Sequence, residues 1–337
     1  MTEKILTKDN QKEFLSRLIK DYQVFAPVEK DGNLLFSQID TPEELAEEYR
    51  NTKQPPKELF FPHSEALFRF RKGQAIEESP NEAERVIFGM RPCDAKSLIL
   101  LDMVFNAEGF KDPYFIARRE KTTIISIACA QPQITCFCTS CGTSPVSEEG
   151  SDILLFDLGA NYLVKSITPK GQQLIDNLGG LLTDAQKSDL KKRDELVKTA
   201  LAKMKSEIPT EGLKEKLEGM FDSPIWEKIH LKCLGCGICT YLCPTCHCFD
   251  IVDEAVDSEG KRVRNWDSCM YPQFTIQASG VNPRLSNKER LRQRMMHKFN
   301  YSVSNYGQTF CVGCGRCVRN CPVNLDIREI VKLGSGK

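Results

Sequence analysis

The chain is poor in several features that would point to common functional classes. Its 337 residues include only two tryptophans and four histidines, and 46 lysines and arginines balance 46 aspartates and glutamates. A net charge of zero argues against nucleic acid or an anionic membrane surface as the main partner. No apolar run approaches the roughly 18 residues that a membrane-spanning helix requires. A length of 337 residues suits two or three domains. The balanced charge and the lack of a long apolar run lead us to expect that the protein binds neither nucleic acid nor membrane.

Motifs of nucleotide-binding and hydrolytic enzymes are also missing. The sequence has no Gly-x-Gly-x-x-Gly after a strand, no P-loop, no nucleophile elbow and no His-Glu-x-x-His. A Rossmann dinucleotide site is therefore not expected, and neither is FAD in this chain. No signal peptide is recognisable, which predicts a cytoplasmic protein whose thiols remain reduced.

Cysteine, by contrast, is abundant, with 16 residues, and half of them form two matching runs. The shared pattern is Cys-x2-Cys-x2-Cys-x3-Cys-Pro, and its cysteines are Cys233, Cys236, Cys239 and Cys243, then Cys311, Cys314, Cys317 and Cys321. In bacterial ferredoxins the first three cysteines of such a run ligate one [4Fe–4S] cluster and the fourth ligates the other. A single Cys-x2-Cys pair is also compatible with zinc, but two complete runs make that alternative poor. The sequence predicts two clusters and one-electron chemistry.

Five further cysteines lie in the first half of the chain. Residues 85–89 and 122–128 are predicted to be buried strands, with a helix between them capped by Asp94, which gives a parallel pair. Carboxyl ends of neighbouring parallel strands share one edge, where ligands usually bind. The cysteines that this places together are Cys93, Cys129, Cys136, Cys138 and Cys141. A third iron–sulfur cluster is favoured over buried thiols used as small hydrophobes. One of the Cys136–Cys138 pair is expected to stay free.

The predicted fold class is α+β. Residues 1–170 are expected to form an α/β domain, residues 171–230 a helical bridge, and residues 231–337 a ferredoxin-like domain with a long insert between the two runs. Three local predictions accompany this division: a helix from Thr41 to about Arg50, a hairpin over residues 153–167, and a long helix from Thr183 to about Ile208.

The insert carries a basic helical stretch from Lys288 to Lys298. This stretch either offsets the negative charge of thiolate-ligated clusters or docks on a partner, and a merely exposed helix is the alternative. Cys246, Cys248 and Cys269 are expected to pack as thiols beside the clusters, with an additional cluster left open. His247 is expected to bond a cluster sulfur or to be exposed, more than to act as a ligand.

Several motifs, in order, resemble those of one group of iron–sulfur proteins. They are Gly89-Met90-Arg91-Pro92-Cys93-Asp94, Cys136-Phe137-Cys138-Thr139, Cys239-x3-Cys243-Pro244-Thr245-Cys246, Trp266-Asp267-Ser268-Cys269, His297-Lys298-Phe299 and the final cysteine run. Nearly the whole chain resembles the beta subunits of cytoplasmic sulfhydrogenases and the corresponding iron–sulfur subunits of anaerobic sulfite reductase.

The resemblance implies a function and a set of ligands. Such subunits carry electrons between a flavin-containing, NAD(P)-binding subunit and a catalytic or heterodisulfide-reductase-like subunit. It also implies two ligand sets: Cys233, Cys236, Cys239 and Cys321 on one cluster, and Cys311, Cys314, Cys317 and Cys243 on the other.

Three functional hypotheses remain at this point. The leading one is an electron-transfer subunit of a soluble multi-subunit oxidoreductase in anaerobic metabolism, not catalytic by itself. The second is a flavin-binding redox enzyme with its active site in the N-terminal α/β domain, at the Cys93 edge. The third is a redox sensor or scaffold with structural clusters. The sequence does not name the terminal electron donor or acceptor.

Overall fold

The computed structural model describes residues 3–46, 48–72, 74–77, 83–205 and 207–334. Its strands are β1 Glu3–Thr7, β2 Gln23–Lys30, β3 Asn33–Ile39, β4 Ser64–Arg71, β5 Gln74–Glu77, β6 Arg85–Met90, β7 Asn106–Ala107, β8 Phe110–Lys111, β9 Thr122–Ile127, β10 Ile153–Asp157, β11 Asn161–Ser166, β12 Thr183–Asp184, β13 Phe249–Val256 and β14 Glu259–Trp266. Its helices are α1 Gln11–Asp21, α2 Pro92–Phe105, α3 Pro113–Glu120, α4 Pro169–Asn177, α5 Lys187–Ala202, α6 Leu213–Gly219, α7 Ile225–Ile229, α8 Ile238–Tyr241, α9 Asn287–Met296, α10 Ser302–Tyr306, α11 Arg316–Arg319 and α12 Ile327–Gly334. This mixture confirms the α+β class.

An eight-stranded mixed sheet forms the first part of the molecule, in the order β12-β1-β11-β10-β9-β6-β2-β3. Strands β2, β6, β9 and β10 run parallel, and the outer strands pair antiparallel. The central strands β6 and β9 are buried along almost their whole length. Because helices cover both faces of a parallel sheet, the sequence of such a strand is a continuous apolar run and does not alternate between apolar and polar residues. The two predicted strands, their parallel pairing and the hairpin β10–β11 are confirmed.

Helix α2 differs from its prediction at its first turn. It begins at Pro92, which suits the first helical position because its missing N–H needs no partner there. Asp94 therefore lies inside the helix and does not cap it. Its carboxylate is buried and forms an ion pair with Arg316 in the cluster-binding part of the chain.

Two further helix predictions were wrong in extent. The capping box at Thr41 is present, but it closes only a 3₁₀ turn over Pro42–Glu44, because Leu45 is extended. Thr183–Asp184 pairs with β1 as a short strand, and α5 starts at Lys187 behind a capping box of Gln186 and Asp189. At Thr183, strand pairing with β1 replaces the first turn of the predicted helix, and the helix ends at Ala202 instead of near Ile208.

A second sheet joins segments far apart in sequence, in the order β13-β14-β4-β5. Its strands β13 and β14 come from the insert between the two cysteine runs, whereas β4 and β5 come from the first quarter of the chain. Buried Arg264 on β14 pairs with Glu65 on β4 and with Asp112 beside α3. The insert is thus held against the α/β part by an ion-pair network.

A separate hydrophobic core supports the cysteine runs. It gathers Trp226 from α7, Leu291 and Met295 from α9, Phe299 from the π-helical turn His297–Tyr301, and Val331 from α12. In the described part of the chain, no helix combines the length and apolarity needed to cross a membrane.

Candidate cluster-binding sites

The first cavity is lined by the four cysteines assigned to one cluster. Cys233, Cys236, Cys239 and Cys321 all border a recess of about 590 Å³, measured with its opening to solvent. Three of them come from the first run and the fourth from the second run, as the ferredoxin pattern requires. Cys317 also reaches this cavity.

Backbone amides and a cation point at the sulfurs of this first cavity. The amide of Gly235 donates to Cys233 Sγ at 3.4 Å, and that of Leu325 donates to Cys321 Sγ at 3.2 Å. The guanidinium of Arg294 donates to Cys239 Sγ at 3.1 Å. Hydrogen bonds of this kind stabilise the thiolate relative to the thiol, and the thiolate is the form that binds iron.

The second cavity is smaller and deeper. Cys243, Cys311, Cys314 and Cys317 line a space of about 310 Å³, again three cysteines from one run and one from the other. Cys243, Cys311 and Cys314 are buried, whereas Cys236 at the first cavity is exposed. Cys317 and Arg294 line both cavities, so the two sites are adjacent.

The glycines of the second loop are required by a close approach of another segment. Gly313 and Gly315 both have positive φ, and a Cβ on either would overlap residues 135–138. The amide of Phe137 donates to the carbonyl of Gly313 at 2.8 Å. The loop that carries the N-terminal cysteines is therefore seated directly on the second cysteine run.

The basic stretch turns two of its cations inward. Lys298 is buried, and its Nζ lies 3.1 Å from Cys243 Sγ and 2.7 Å from the carbonyl of Phe310. Burial alone would lower the pKa of Lys298, but the neighbouring thiols of Cys243 and Cys246 raise it above its usual value. Arg294 shows the same balance beside Cys239 and Cys317. The stretch thus offers permanent positive charge to the sulfurs of both cavities.

Two extra cysteines donate hydrogen bonds to second-cavity sulfurs. A hydrogen bond from Cys141 lowers the pKa of Cys311 to about 7, and one from Cys246 lowers the pKa of Cys243 well below its usual value. The pKa of each donor thiol rises correspondingly. Cys246 therefore lies beside a cluster site, where the sequence predicts it.

Cys248 and Cys269 form a pair of their own. A hydrogen bond from Cys269 lowers the pKa of Cys248 to about 7. Nearby, buried Lys57 donates to the carbonyl of Cys246 at 2.7 Å and lies 3.9 Å from the centre of the Trp266 ring. Burial lowers the pKa of Lys57 to about 8, against the opposing effect of Cys246, Cys243 and Cys248.

His247 does not match its prediction of a sulfur contact or an exposed position. Its Nδ1 lies 3.1 Å from the carbonyl of Thr245, and its ring packs edge-on against Phe105 and Phe310. Burial lowers the pKa of His247 to about 4. The histidine is a neutral packing residue in this arrangement.

The five N-terminal cysteines do not all meet. Cys93, Cys129, Cys136 and Cys138 line a third cavity, of about 410 Å³. Cys141 lies outside it, because the 3₁₀ turn over Cys138–Cys141 directs its thiol to Cys311. Cys93 follows β6 and Cys129 follows β9, so the predicted shared edge of the sheet accounts for their proximity.

None of these groups is arranged for a single metal ion. Among the described residues, no three histidine, cysteine or acidic side chains converge as ligands of one ion. Cysteines around a zinc ion would lie about 2.3 Å from one common point. The four thiolates of a cubane site lie farther apart than this, because each of them binds a different iron.

Sequence reasoning missed one residue of this region, Arg316. It stands between two cysteines of the second run, is fully buried, and pairs through Nη1 and Nη2 with both carboxylate oxygens of Asp94, at 2.5 and 2.8 Å. Its Nε also donates to the carbonyl of Thr52. The only available signal was an arginine within a cysteine loop, which says nothing about a partner more than 200 residues away.

Two comparisons with known proteins agree with this geometry. The family model described as a 4Fe-4S dicluster domain matches residues 232–325. The chain is also 34% identical, over 315 residues, to the sulfhydrogenase 2 subunit beta of Pyrococcus furiosus, an alignment that covers 93% of this chain and 92% of that protein.

Proposed function

Because the chain belongs to the family of sulfhydrogenase beta subunits, we propose that it relays single electrons within a multi-subunit oxidoreductase. The observation that carries the proposal is the pair of adjacent cavities, each lined by three cysteines of one run and one of the other. Bound [4Fe–4S] clusters would supply the one-electron chemistry, and the chain would supply ligands, position and charge.

The proposed ligands follow the ferredoxin spacing pattern, and the lining of each cavity is consistent with them. Cys233, Cys236, Cys239 and Cys321 hold the first cluster. Cys311, Cys314, Cys317 and Cys243 hold the second. Support for this division comes from the amide and side-chain donors that face Cys233, Cys321, Cys239 and Cys243, since they stabilise the ligating thiolates.

The first cavity is the proposed point of electron exchange with another subunit. Cys236 is exposed there, and the neighbouring apolar side chains of Leu231 and Leu234 are 77% and 64% exposed. Apolar side chains beside a redox centre favour close contact with a partner, and close contact shortens the distance for electron transfer.

The proposed partners are a flavin-containing, NAD(P)-binding subunit on one side and a catalytic or heterodisulfide-reductase-like subunit on the other. The relative's name describes it as a subunit of a sulfhydrogenase. The absence of a dinucleotide fingerprint from this sequence is consistent with nucleotide binding on another polypeptide.

The proposal is tested in the intact complex purified anaerobically with its native subunits. The complex is mixed rapidly with NADH or NADPH, and cluster bleaching near 400 nm is followed in the wild type and in Cys236→Ser. We expect rapid bleaching in the wild type and at least a tenfold slower internal transfer in the variant. Equal rates in both proteins would contradict a relay through the first cavity.

A second candidate function is favoured by one feature, an open cleft at the carboxyl edge of the sheet. It spans about 1070 Å³ with its opening and is lined by Tyr49, Arg91, Asp157 and Tyr162 beside the end of β9. If a flavin were bound in this cleft, the chain would itself be a redox enzyme. A yellow chromophore that survives iron removal and is released by denaturation would support this candidate, and its absence would exclude it.

A further inference from the structure

The third cavity has the same construction as the two cavities of the cysteine runs. It is lined by four cysteines drawn from separate segments, Cys93 after β6, Cys129 after β9, and Cys136 and Cys138 from the loop beyond. The lining therefore supplies the number of donors that a four-thiolate cluster site needs.

The loop from Cys136 to Cys138 is held so that both thiols face this cavity. Phe137, between them, is buried in the core that supports the cysteine runs, and its amide is bonded to Gly313. Cys136 Sγ lies 3.7 Å from the carbonyl of Cys314. Since Cys141 is turned away to Cys311, both Cys136 and Cys138 are needed for a set of four, in contrast to the expectation from the sequence that one of them stays free.

Positive charge surrounds these thiols, as a negatively charged cluster requires. Arg50 and Arg91 line the cavity. Arg91 donates to the backbone carbonyls of Ile127 and Ala128, which carry no charge to cancel its own.

The third cavity adjoins the second. Cys314 and Gly313 line both of them, just as Cys317 and Arg294 line both the first and the second. The three cavities therefore follow one another in a row. At the far end, Cys129, Arg91 and Arg50 also line the open cleft at the edge of the sheet.

We propose that Cys93, Cys129, Cys136 and Cys138 hold a third [4Fe–4S] cluster, which extends the electron path from the second cluster to the cleft at the sheet edge. Cys141 is not one of its ligands. This inference deepens the proposed function, because it gives the relay a second end inside the α/β part of the chain.

The test measures iron and acid-labile sulfide in the full-length chain, expressed and purified anaerobically and reconstituted with ferrous iron and sulfide. The wild type is expected to hold about twelve irons and twelve sulfides, as three cubanes require. Cys129→Ser is expected to lose about four of each while keeping the spin-coupled EPR signal of the two remaining clusters. Cys141→Ser, the matched control from the same loop, is expected to keep about twelve.

The opposite results overturn the inference. A wild type with about eight irons and a spin-coupled signal would remove the third cluster and leave the two-cluster relay standing. About twelve irons in Cys129→Ser, or a loss of four in Cys141→Ser with the spin-coupled signal intact, would refute the ligand set. Because the wild-type count does not depend on any substitution, misfolding of a variant cannot rescue the inference. A chain without iron would refute the relay as well.

Discussion

The two cysteine runs share one spacing but occupy different surroundings. The first cavity is open, with Cys236 exposed, and its sulfurs accept hydrogen bonds from two backbone amides and from the Arg294 guanidinium. The second is buried beneath the N-terminal loop and receives a lysine and two thiols as donors. Spacing in sequence therefore predicts which sulfurs line the same cavity, whereas tertiary packing sets how exposed, how charged and how well supported each cavity is.

The largest contrast is expected when one ligand is removed from each cavity. Cys311→Ser should lose about four irons and also loosen the packing of the N-terminal loop, since cluster binding contributes directly to folding. Cys236→Ser should lose about four irons with little effect on the fold. Iron content and limited proteolysis under nitrogen would measure both. Equal protease resistance of the two variants would show that burial does not distinguish the cavities.

The second contrast concerns what holds the buried run in place. Arg316→Met leaves the carboxylate of Asp94 buried without its partner, which costs about 3–5 kcal/mol. The apparent thermal midpoint of the anaerobic protein should fall by about 5–10 °C.

A matched control for this prediction lies on the insert hairpin. Arg262→Met breaks the pair with Asp253, in which both side chains are over two-fifths exposed, and should leave the midpoint unchanged. A similar shift in both variants would mean that the buried pair has no special role in docking the second run.

A smaller effect is expected on the reduction potential. Lys298→Met removes a cation 3.1 Å from Cys243 Sγ, and this cation stabilises the reduced, more negative cluster more than the oxidised one. The potential of the second cluster should fall by about 60 mV or more, with the first little changed. Redox titration followed by EPR would measure both.

The control for this prediction comes from the same basic stretch. Lys288 lies on the surface of α9 and pairs with Glu227 on α7, and Lys288→Met removes its charge. Loss of the Lys288 charge should leave the reduction potentials of the first and second clusters unchanged. An equal shift from the two lysines would mean that net charge, and not contact with the sulfur, sets the potential.

The smallest contrast is kinetic. Ferricyanide should destroy the first cluster several-fold faster than the second, because Cys236 is exposed and Cys311 and Cys314 are buried. In Cys129→Ser, which lacks the proposed third cluster, the spin-coupled EPR signal should collapse early to the signal of one isolated cluster while about half of the iron is still bound. Simultaneous loss of both clusters would remove the distinction between an open and a closed cavity.

Much of this molecule could be predicted from local patterns. Strands β6 and β9 are recognisable because continuous apolar runs bounded by turns have few alternatives. The fixed spacing of the two cysteine runs likewise predicts which cysteines line each of the two cavities. The sheet edge that brings Cys93 and Cys129 together follows from strand direction alone.

What could not be predicted depends on contacts between distant segments. The pairing of β4 with β14, and of Arg316 with Asp94, joins residues about 200 positions apart, and one sequence carries no signal for either. The different positions of the Cys138 and Cys141 thiols could not be predicted for the same reason. They share one 3₁₀ turn, and only the docking of that turn on the second run places Cys138 at the third cavity and Cys141 against Cys311.

The most direct test of the central claim, two adjacent four-thiolate clusters, is the EPR spectrum of the anaerobic chain after dithionite reduction. The account predicts a broadened, split signal from neighbouring reduced clusters. This signal should simplify to that of one isolated cluster when Cys236→Ser is combined with Cys129→Ser, which removes the proposed third cluster. An EPR-silent chain that contains zinc, or an unsplit signal that is the same in both proteins, would contradict it.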